Sequence, residues 1–206
     1  LKLVRDDTFT DNFKVSIVCL PLLIATIGAI VSNKREDASN LYEISRRCIH
    51  VYLETRKKLK TIGFGDDLSA ISNSPLWLVQ SLTLSIIYGL FADEEISMSI
   101  IICQVNALNT LIKSSKINEV EKPSNLNDDY KVFINYESMI RTIHMIFHVT
   151  TLLSSLYNIE PTLEVVDLNI DLPNSSLLWD CLTDDEFHKM IENFNFHTLN
   201  YPVVLN

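Results

Sequence analysis

Turn-forming residues are scarce in this chain, and this scarcity limits the folds open to it. The 206 residues include only 4 Gly and 6 Pro, fewer than the roughly 7% and 5% of average usage. Sandwiches and barrels need many short strands separated by turns, so the composition favours a few long elements. With 47% hydrophobic residues, the chain can bury a sizeable core. We therefore predict one all-α, multi-helical domain over residues 1–206.

Apolar periodicity predicts the order of the helices in the first half of the chain. An apolar helix covers residues 13–31, and a second helix follows in which Leu41, Ile44, Cys48, Val51 and Leu59 fall near one face. Pro75 fits the first turn of a third helix. A short connection to a fourth helix, residues 94–114, makes this pair an antiparallel hairpin.

A long helix dominates the second half. The pattern predicts it over Tyr130–Tyr157, a length of about 40 Å at ~1.5 Å per residue, which is enough to cross the domain. Short helices are expected over Ser175–Cys181 and Asp184–Phe194.

The apolar run over residues 15–31 needs a separate decision between a membrane span and a core helix. It falls short of the ~20 residues that cross a bilayer, and Pro21 and Thr26 interrupt it. We expect a buried helix at the centre of the domain and no membrane partner. The start of the chain is polar and lacks Met, which favours a fragment of a longer protein without a secretory signal.

Charge and cysteine usage narrow the function classes. A net charge of −9 and a pI near 5.0 disfavour direct phosphate binding, which depends on clustered Lys and Arg. The basic cluster consists of Arg46, Arg47, Arg56, Lys57, Lys58 and Lys60. It is interpreted as a solvated helix end. The four widely separated cysteines are predicted to be buried free thiols.

One polar stripe on the long helix is the only constellation that suggests chemistry. Glu137, Arg141, His144 and His148 follow one another at i, i+4, i+7 and i+11. A metal ion on the two histidines with Glu137 is one interpretation. It lacks the His-Glu-x-x-His order and would place a positive charge beside the metal. We favour a Glu137–Arg141 ion pair with hydrogen-bonded histidines, no catalytic or metal site, and no enzyme. A helical metal- or small-molecule-binding protein or enzyme using Glu137, His144 and His148 stays as the alternative.

The motifs around this stripe resemble a known family. An aromatic residue, a Glu and an Arg four residues later, here Tyr136, Glu137 and Arg141, precede an acidic-apolar stretch, Leu172-Pro173 and then Trp179. Their order and spacing are similar to the central homology domain of fungal-specific transcription factors. A looser similarity extends over roughly residues 13–190. Many members carry several consecutive Arg residues after the Glu, whereas a single Arg141 stands here.

The resemblance implies the regulatory domain of a nuclear transcription factor that controls RNA polymerase II transcription. The structural anchors would be Tyr136, Glu137, Arg141, Leu172, Pro173 and Trp179. DNA would be bound by a separate zinc-binding segment, because this sequence contains neither a two-Cys two-His zinc finger nor a binuclear zinc cluster. The implied partners are the transcription machinery or regulatory proteins, while a homodimer and a small-molecule effector are left open.

Overall fold

The computed structural model describes residues 10–61, 75–92, 98–115, 117, 122–161, 163 and 170–193, with the side chains of 10–17 and 56–61 left aside. The regular elements of these ranges are seven helices: α1 (Thr10–Val31), α2 (Arg35–Thr61), α3 (Leu76–Phe91), α4 (Met98–Ser115), α5 (Tyr130–Tyr157), α6 (Ser176–Trp179) and α7 (Asp184–Asn193). The all-α prediction is confirmed.

The chain forms two compact units, one within Asp6–Ser115 and the other within Lys116–Asn206. The first unit contains α1 to α4, and the second contains α5 to α7. That both belong to a single domain stays a prediction.

A helical hairpin opens the first unit. α1 packs along α2, and the turn between them closes through hydrogen bonds from Asn33 N to Ile30 O (2.8 Å) and from Lys34 N to Ala29 O (2.8 Å). Asn33 has a φ of 58°, a left-handed conformation that asparagine tolerates and that commonly ends a helix. This turn therefore sets the antiparallel register of α1 and α2.

Among the described helices of the first unit, α3 is the most buried, whereas the sequence suggested α1. α3 contacts α1, α2 and α4, and even its polar Gln80, Ser81 and Thr83 are buried. α1 instead buries one side, while Val18 and Val31 are 44% and 81% exposed. The overall hydropathy of α1 therefore indicated the wrong central helix, because the burial of a helix depends on how many other helices pack against it. None of the described helices has the length and apolarity that a membrane crossing needs.

The buried face of α2 also differs from the apolar stripe in its sequence. Ala38, Tyr42, Ser45 and Ile49 are at most 4% exposed, whereas Ile44 and Val51 are 51% and 63% exposed. The two stripes lie side by side on the helix, about a quarter of a turn apart at 3.6 residues per turn. Tyr42 stacks on Tyr88 of α3 with ring centroids 4.3 Å apart, which turns the Tyr42 stripe toward the interior.

The prediction for the cysteines is only half right. Cys19 and Cys181 are buried, Cys48 is half-buried and Cys103 is exposed, and all four are free thiols. Cys103 lies on the outer side of α4, because the neighbouring Gln104 and Val105 take up the buried side. The predicted basic helix end falls largely on residues 56–60, whose side chains lie outside the described part.

The second unit is organised by α5, whose bounds match the prediction. Asp129 begins the helix with a side chain that accepts hydrogen bonds from Lys131 N (2.8 Å) and Val132 N (3.3 Å), which satisfies two of the amides that a helix start leaves unpaired. Asn158, with a φ of 54°, ends it and donates its N–H to Ser154 O.

The start of α5 is covered by α7. Phe187 is fully buried, and its ring centroid lies 5.4 Å from that of Tyr130 and 4.8 Å from that of Phe133. The Tyr130 hydroxyl donates to Cys181 O at 2.6 Å. The predicted short helices are present with slightly different ends, and α6 is a single turn that Ser175 caps. These contacts hold the chain after α6 against the first turns of α5.

Candidate functional site

The polar stripe of α5 contains a carboxylate that is completely removed from water. Glu137 has 0% exposure, and its two oxygens accept three hydrogen bonds. Arg141 Nε donates to Oε1 at 2.7 Å, Asn174 N donates to the same oxygen at 2.9 Å, and Asn174 Nδ2 donates to Oε2 at 3.0 Å. A buried charge is tolerated only with such pairing and hydrogen bonding. Glu137 therefore fixes the position of Asn174 against α5.

Arg141 makes three kinds of contact, and two of them join α5 to residues further along the chain. Beyond its ion pair with Glu137, its Nη2 donates to Asn174 O at 2.8 Å. Its Cζ lies 4.7 Å from the centroid of a Trp179 ring, within the range of a cation–π interaction. The side chain keeps 32% exposure. One guanidinium thus connects α5 to Asn174 and to α6. We call the cluster of Glu137, Arg141, Asn174 and Trp179 the α5 polar lock.

A second group of contacts lies beside the lock and centres on Asp171. Its Oδ2 is 3.0 Å from Lys122 Nζ and accepts a hydrogen bond of 3.4 Å from the Tyr136 hydroxyl. Its backbone oxygen lies 3.1 Å from His144 Nε2. A carbonyl oxygen can only accept, so His144 must be protonated at Nε2. The segment at 171–174 is therefore bound to α5 at both of its ends.

Burial perturbs two titratable groups in this region. Burial, reinforced by the negative charge of Asp171, raises the pKa of Tyr136 to about 12. Burial also lowers the pKa of His144, although its hydrogen bond to Asp171 O opposes the change. His144 is therefore neutral near pH 7 and Tyr136 keeps its proton.

The predicted anchor residues occupy different environments around the lock. Tyr136, Glu137, Arg141 and Trp179 all take part in the contacts described above. Leu172 is half-buried and Pro173 is exposed. Proline fixes its own φ and favours an extended conformation for the residue before it, so this pair shapes the backbone that delivers Asn174. Their role as anchors stays a prediction.

Asn174 and Asp171 were missed by the sequence analysis, although they carry many of the contacts. The position of Asn174 directly after Leu-Pro was the only available signal. A polar residue there is equally typical of a solvated loop. Only the tertiary contact with Glu137 distinguishes the two.

The alternative of a metal or catalytic site requires Glu137, His144 and His148 to converge. The Glu137 oxygens are instead bound to Arg141 and Asn174, His144 faces a carbonyl, and His148 is exposed. Across the residues that the structure describes, no three His, Cys, Asp or Glu side chains are grouped so that they could hold a metal ion. These contacts instead join α5 to the segment at 171–174.

Comparison with known proteins identifies the family of this chain. The family described as "Fungal specific transcription factor domain" matches residues 3–201, which include all of the helices described above and every residue of the α5 polar lock. The chain belongs to this family. The resemblance inferred from Tyr136, Glu137, Arg141 and Trp179 is thus confirmed, and with it an assignment as the regulatory domain of a fungal transcription factor.

Two relatives from Saccharomyces cerevisiae (strain ATCC 204508 / S288c) are similar to the chain. "Probable transcription factor TDA9" is 22% identical over 208 residues, which cover 85% of this chain and 16% of that protein. "Respiration factor 2" is 22% identical over 148 residues, which cover 56% of this chain and 11% of that protein. The chain therefore spans less than a fifth of the length of either relative. No solved structure matches it.

Proposed function

We propose that this fungal transcription factor domain is the regulatory body of a nuclear, DNA-binding protein that controls RNA polymerase II transcription. The family match over residues 3–201 carries the proposal. DNA would be bound by a separate zinc-binding segment, and the domain itself would not be an enzyme. Its effect would pass to the transcription machinery or to regulatory proteins.

The net charge of the chain supports the proposal that a separate segment binds DNA. The chain carries a net charge of −9, whereas non-specific DNA affinity requires clustered positive charge. Several of the described cations lie against carboxylates: Arg46 on Glu43 at 2.8 Å, Lys122 on Asp171 at 3.0 Å and Arg141 on Glu137 at 2.7 Å. Such pairs offer little net attraction to phosphate.

The α5 polar lock supports a structural rather than a reactive role for the motif residues Glu137, Arg141 and Trp179. A regulatory domain must present a defined surface or cavity. A partner or small-molecule effector that binds there can then shift the conformational equilibrium of the domain. The lock fastens the segment at 171–179 to α5 and so defines part of that surface. A homodimer would use the outer faces of the helices.

The experiment compares DNA affinity with transcriptional output in the full-length protein. Replacing residues 1–206 by an unrelated helical domain of similar length should leave the affinity for the target DNA unchanged and alter reporter transcription. The isolated chain should not bind duplex DNA at physiological salt. Unchanged reporter output would contradict the regulatory role. DNA binding by the isolated chain would contradict the proposal that a separate segment binds DNA.

A further inference from the structure

Two of the four cysteines lie at matching positions of the α1–α2 hairpin in the first unit. Cys19 lies on α1 and Cys48 on α2, at nearly equal numbers of residues from Asn33 in the turn between these helices. In an antiparallel hairpin, positions equidistant from the turn lie side by side, and α1 packs along α2. The Cys48 side chain lies close enough to Cys19 to contribute to the raised pKa of the Cys19 thiol. The hairpin register and the packing of α1 on α2 therefore place the two cysteines side by side.

The two thiols differ in their access to solvent. Cys19 has 0% exposure, whereas Cys48 is half-buried. Burial, with a smaller contribution from Cys48, raises the pKa of Cys19 to about 12, so Cys19 stays protonated at neutral pH. A small oxidant can reach Cys48 first, and Cys19 is already placed as the second thiol. An accessible thiol beside a second thiol allows a sulfenic acid on the first to be captured as a disulfide.

We propose that Cys19 and Cys48 form a reversible, peroxide-driven disulfide that links α1 to α2. The Cys48 thiolate attacks one oxygen of hydrogen peroxide, the O–O bond breaks, and sulfenic acid and hydroxide result. The hydroxide takes up the proton that the Cys48 thiol released and becomes the first water. The Cys19 sulfur then attacks the Cys48 sulfur, and the hydroxyl leaves with the Cys19 proton as a second water. Two thiols are oxidised and one peroxide is reduced to two waters. A dithiol reductant restores both thiols by exchange.

The other two cysteines supply controls within the same chain. Cys103 is exposed on α4, so it tests whether access alone gives rise to oxidation. Cys181 is buried in the second unit and its Sγ donates to Leu177 O at 3.3 Å, so it tests whether burial alone prevents it. The proposal requires that neither enters the disulfide.

The disulfide should also stabilise the first unit. It would close a loop of about 30 residues and so restrict the unfolded chain. Without strain in the folded hairpin, this restriction raises the melting temperature by up to roughly 10 °C. The shift must disappear when a dithiol reductant is added.

The test treats the intact chain with hydrogen peroxide, blocks the remaining thiols and maps the peptides by mass spectrometry. We expect a linked pair of peptides containing Cys19 and Cys48, lighter than the two thiol peptides by two hydrogen atoms. Reduction should remove the link. Cys19→Ser or Cys48→Ser should abolish the linked pair, and Cys103→Ser and Cys181→Ser should retain it.

Two results would overturn the proposal. One is sulfinic acid on Cys48 in the wild-type chain without a link to Cys19, because a resolving thiol beside Cys48 would have reacted with the sulfenic acid first. The other is a link that uses Cys103 or Cys181. The peptide map of the wild-type chain decides both, so the conclusion does not depend on the folding of any variant.

Discussion

Removing the guanidinium of Arg141 is the sharpest perturbation of the α5 polar lock. Arg141→Ala deletes the ion pair with Glu137, the hydrogen bond to Asn174 O and the contact with the Trp179 ring. It leaves a carboxylate with 0% exposure without its positive partner. The two hydrogen bonds from Asn174 to Glu137 would be all that remains to stabilise that charge.

The expected loss follows from the burial of Glu137. Breaking a buried ion pair by deleting one partner costs about 3–5 kcal/mol. The Arg141 side chain is 32% exposed, so water can replace part of the lost interaction. We therefore expect the lower end, about 3 kcal/mol in the free energy of unfolding. In a chain of this size that corresponds to roughly 6–12 °C in melting temperature.

The chain provides a matched control in its first unit. Arg46 also binds a glutamate on its own helix, with bonds of 3.0 and 2.8 Å to Glu43, and its side chain is 35% exposed. The partner differs, because Glu43 is 42% exposed and Glu137 is buried. Exposed pairs contribute at most about 1 kcal/mol. Arg46→Ala should therefore cost far less than Arg141→Ala.

The assay is urea unfolding followed by far-ultraviolet circular dichroism, with Trp179 fluorescence as a local probe of the lock. Trp77→Phe in every variant removes the only other tryptophan. Equal losses for Arg141→Ala and Arg46→Ala would refute the reasoning, because burial of the carboxylate would then have no energetic effect. An unchanged stability of Arg141→Ala would exclude an anchoring role altogether.

Three further predictions concern α5 and its contacts. Asp129→Ala should lower the free energy of unfolding by about 1 kcal/mol, since two amides lose their acceptor, and Asp129→Ser should recover most of it in thermal melts. Tyr136→Phe should cost under about 1 kcal/mol near pH 7. Because the pKa of Tyr136 is raised in the folded state to about 12, the wild type should lose stability as pH rises from about 10, and the variant should lack that component. The pKa of His144 is lowered by burial, so the wild type should lose stability as pH falls below about 6.5; His144→Gln should flatten this part of a pH–stability curve, and an unchanged curve would contradict it.

Local signals were sufficient for the helical class and for the long helix. The scarcity of Gly and Pro excluded turn-rich folds, and Asp129 and Asn158 stand at the two ends of α5 as its caps. Such end signals act through the nearest backbone groups, so a sequence contains the information needed to predict them. The spacing of Glu137 and Arg141 likewise predicted their ion pair, which the structure shows at 2.7 Å.

The partners of these residues from other segments were not predictable in the same way. Asn174 lies far along the chain from Glu137, and nothing local distinguishes it from a solvated loop residue. Its two hydrogen bonds to the carboxylate exist only after α5 and the segment at 171–174 have packed together. A pattern within one helix contains no information on which distant amide will meet its buried charge.

The sequence by itself determined the all-α class, the bounds of α5 and the family motif, because each depends on near neighbours in the chain. Tertiary structure decided that α3 rather than α1 is enclosed and that α2 buries the stripe of Tyr42 rather than that of Ile44. Both stripes of α2 satisfy helical periodicity. The choice between them rests on which partner helix offers the better contact, here the ring of Tyr88, and that contact forms only when the helices pack.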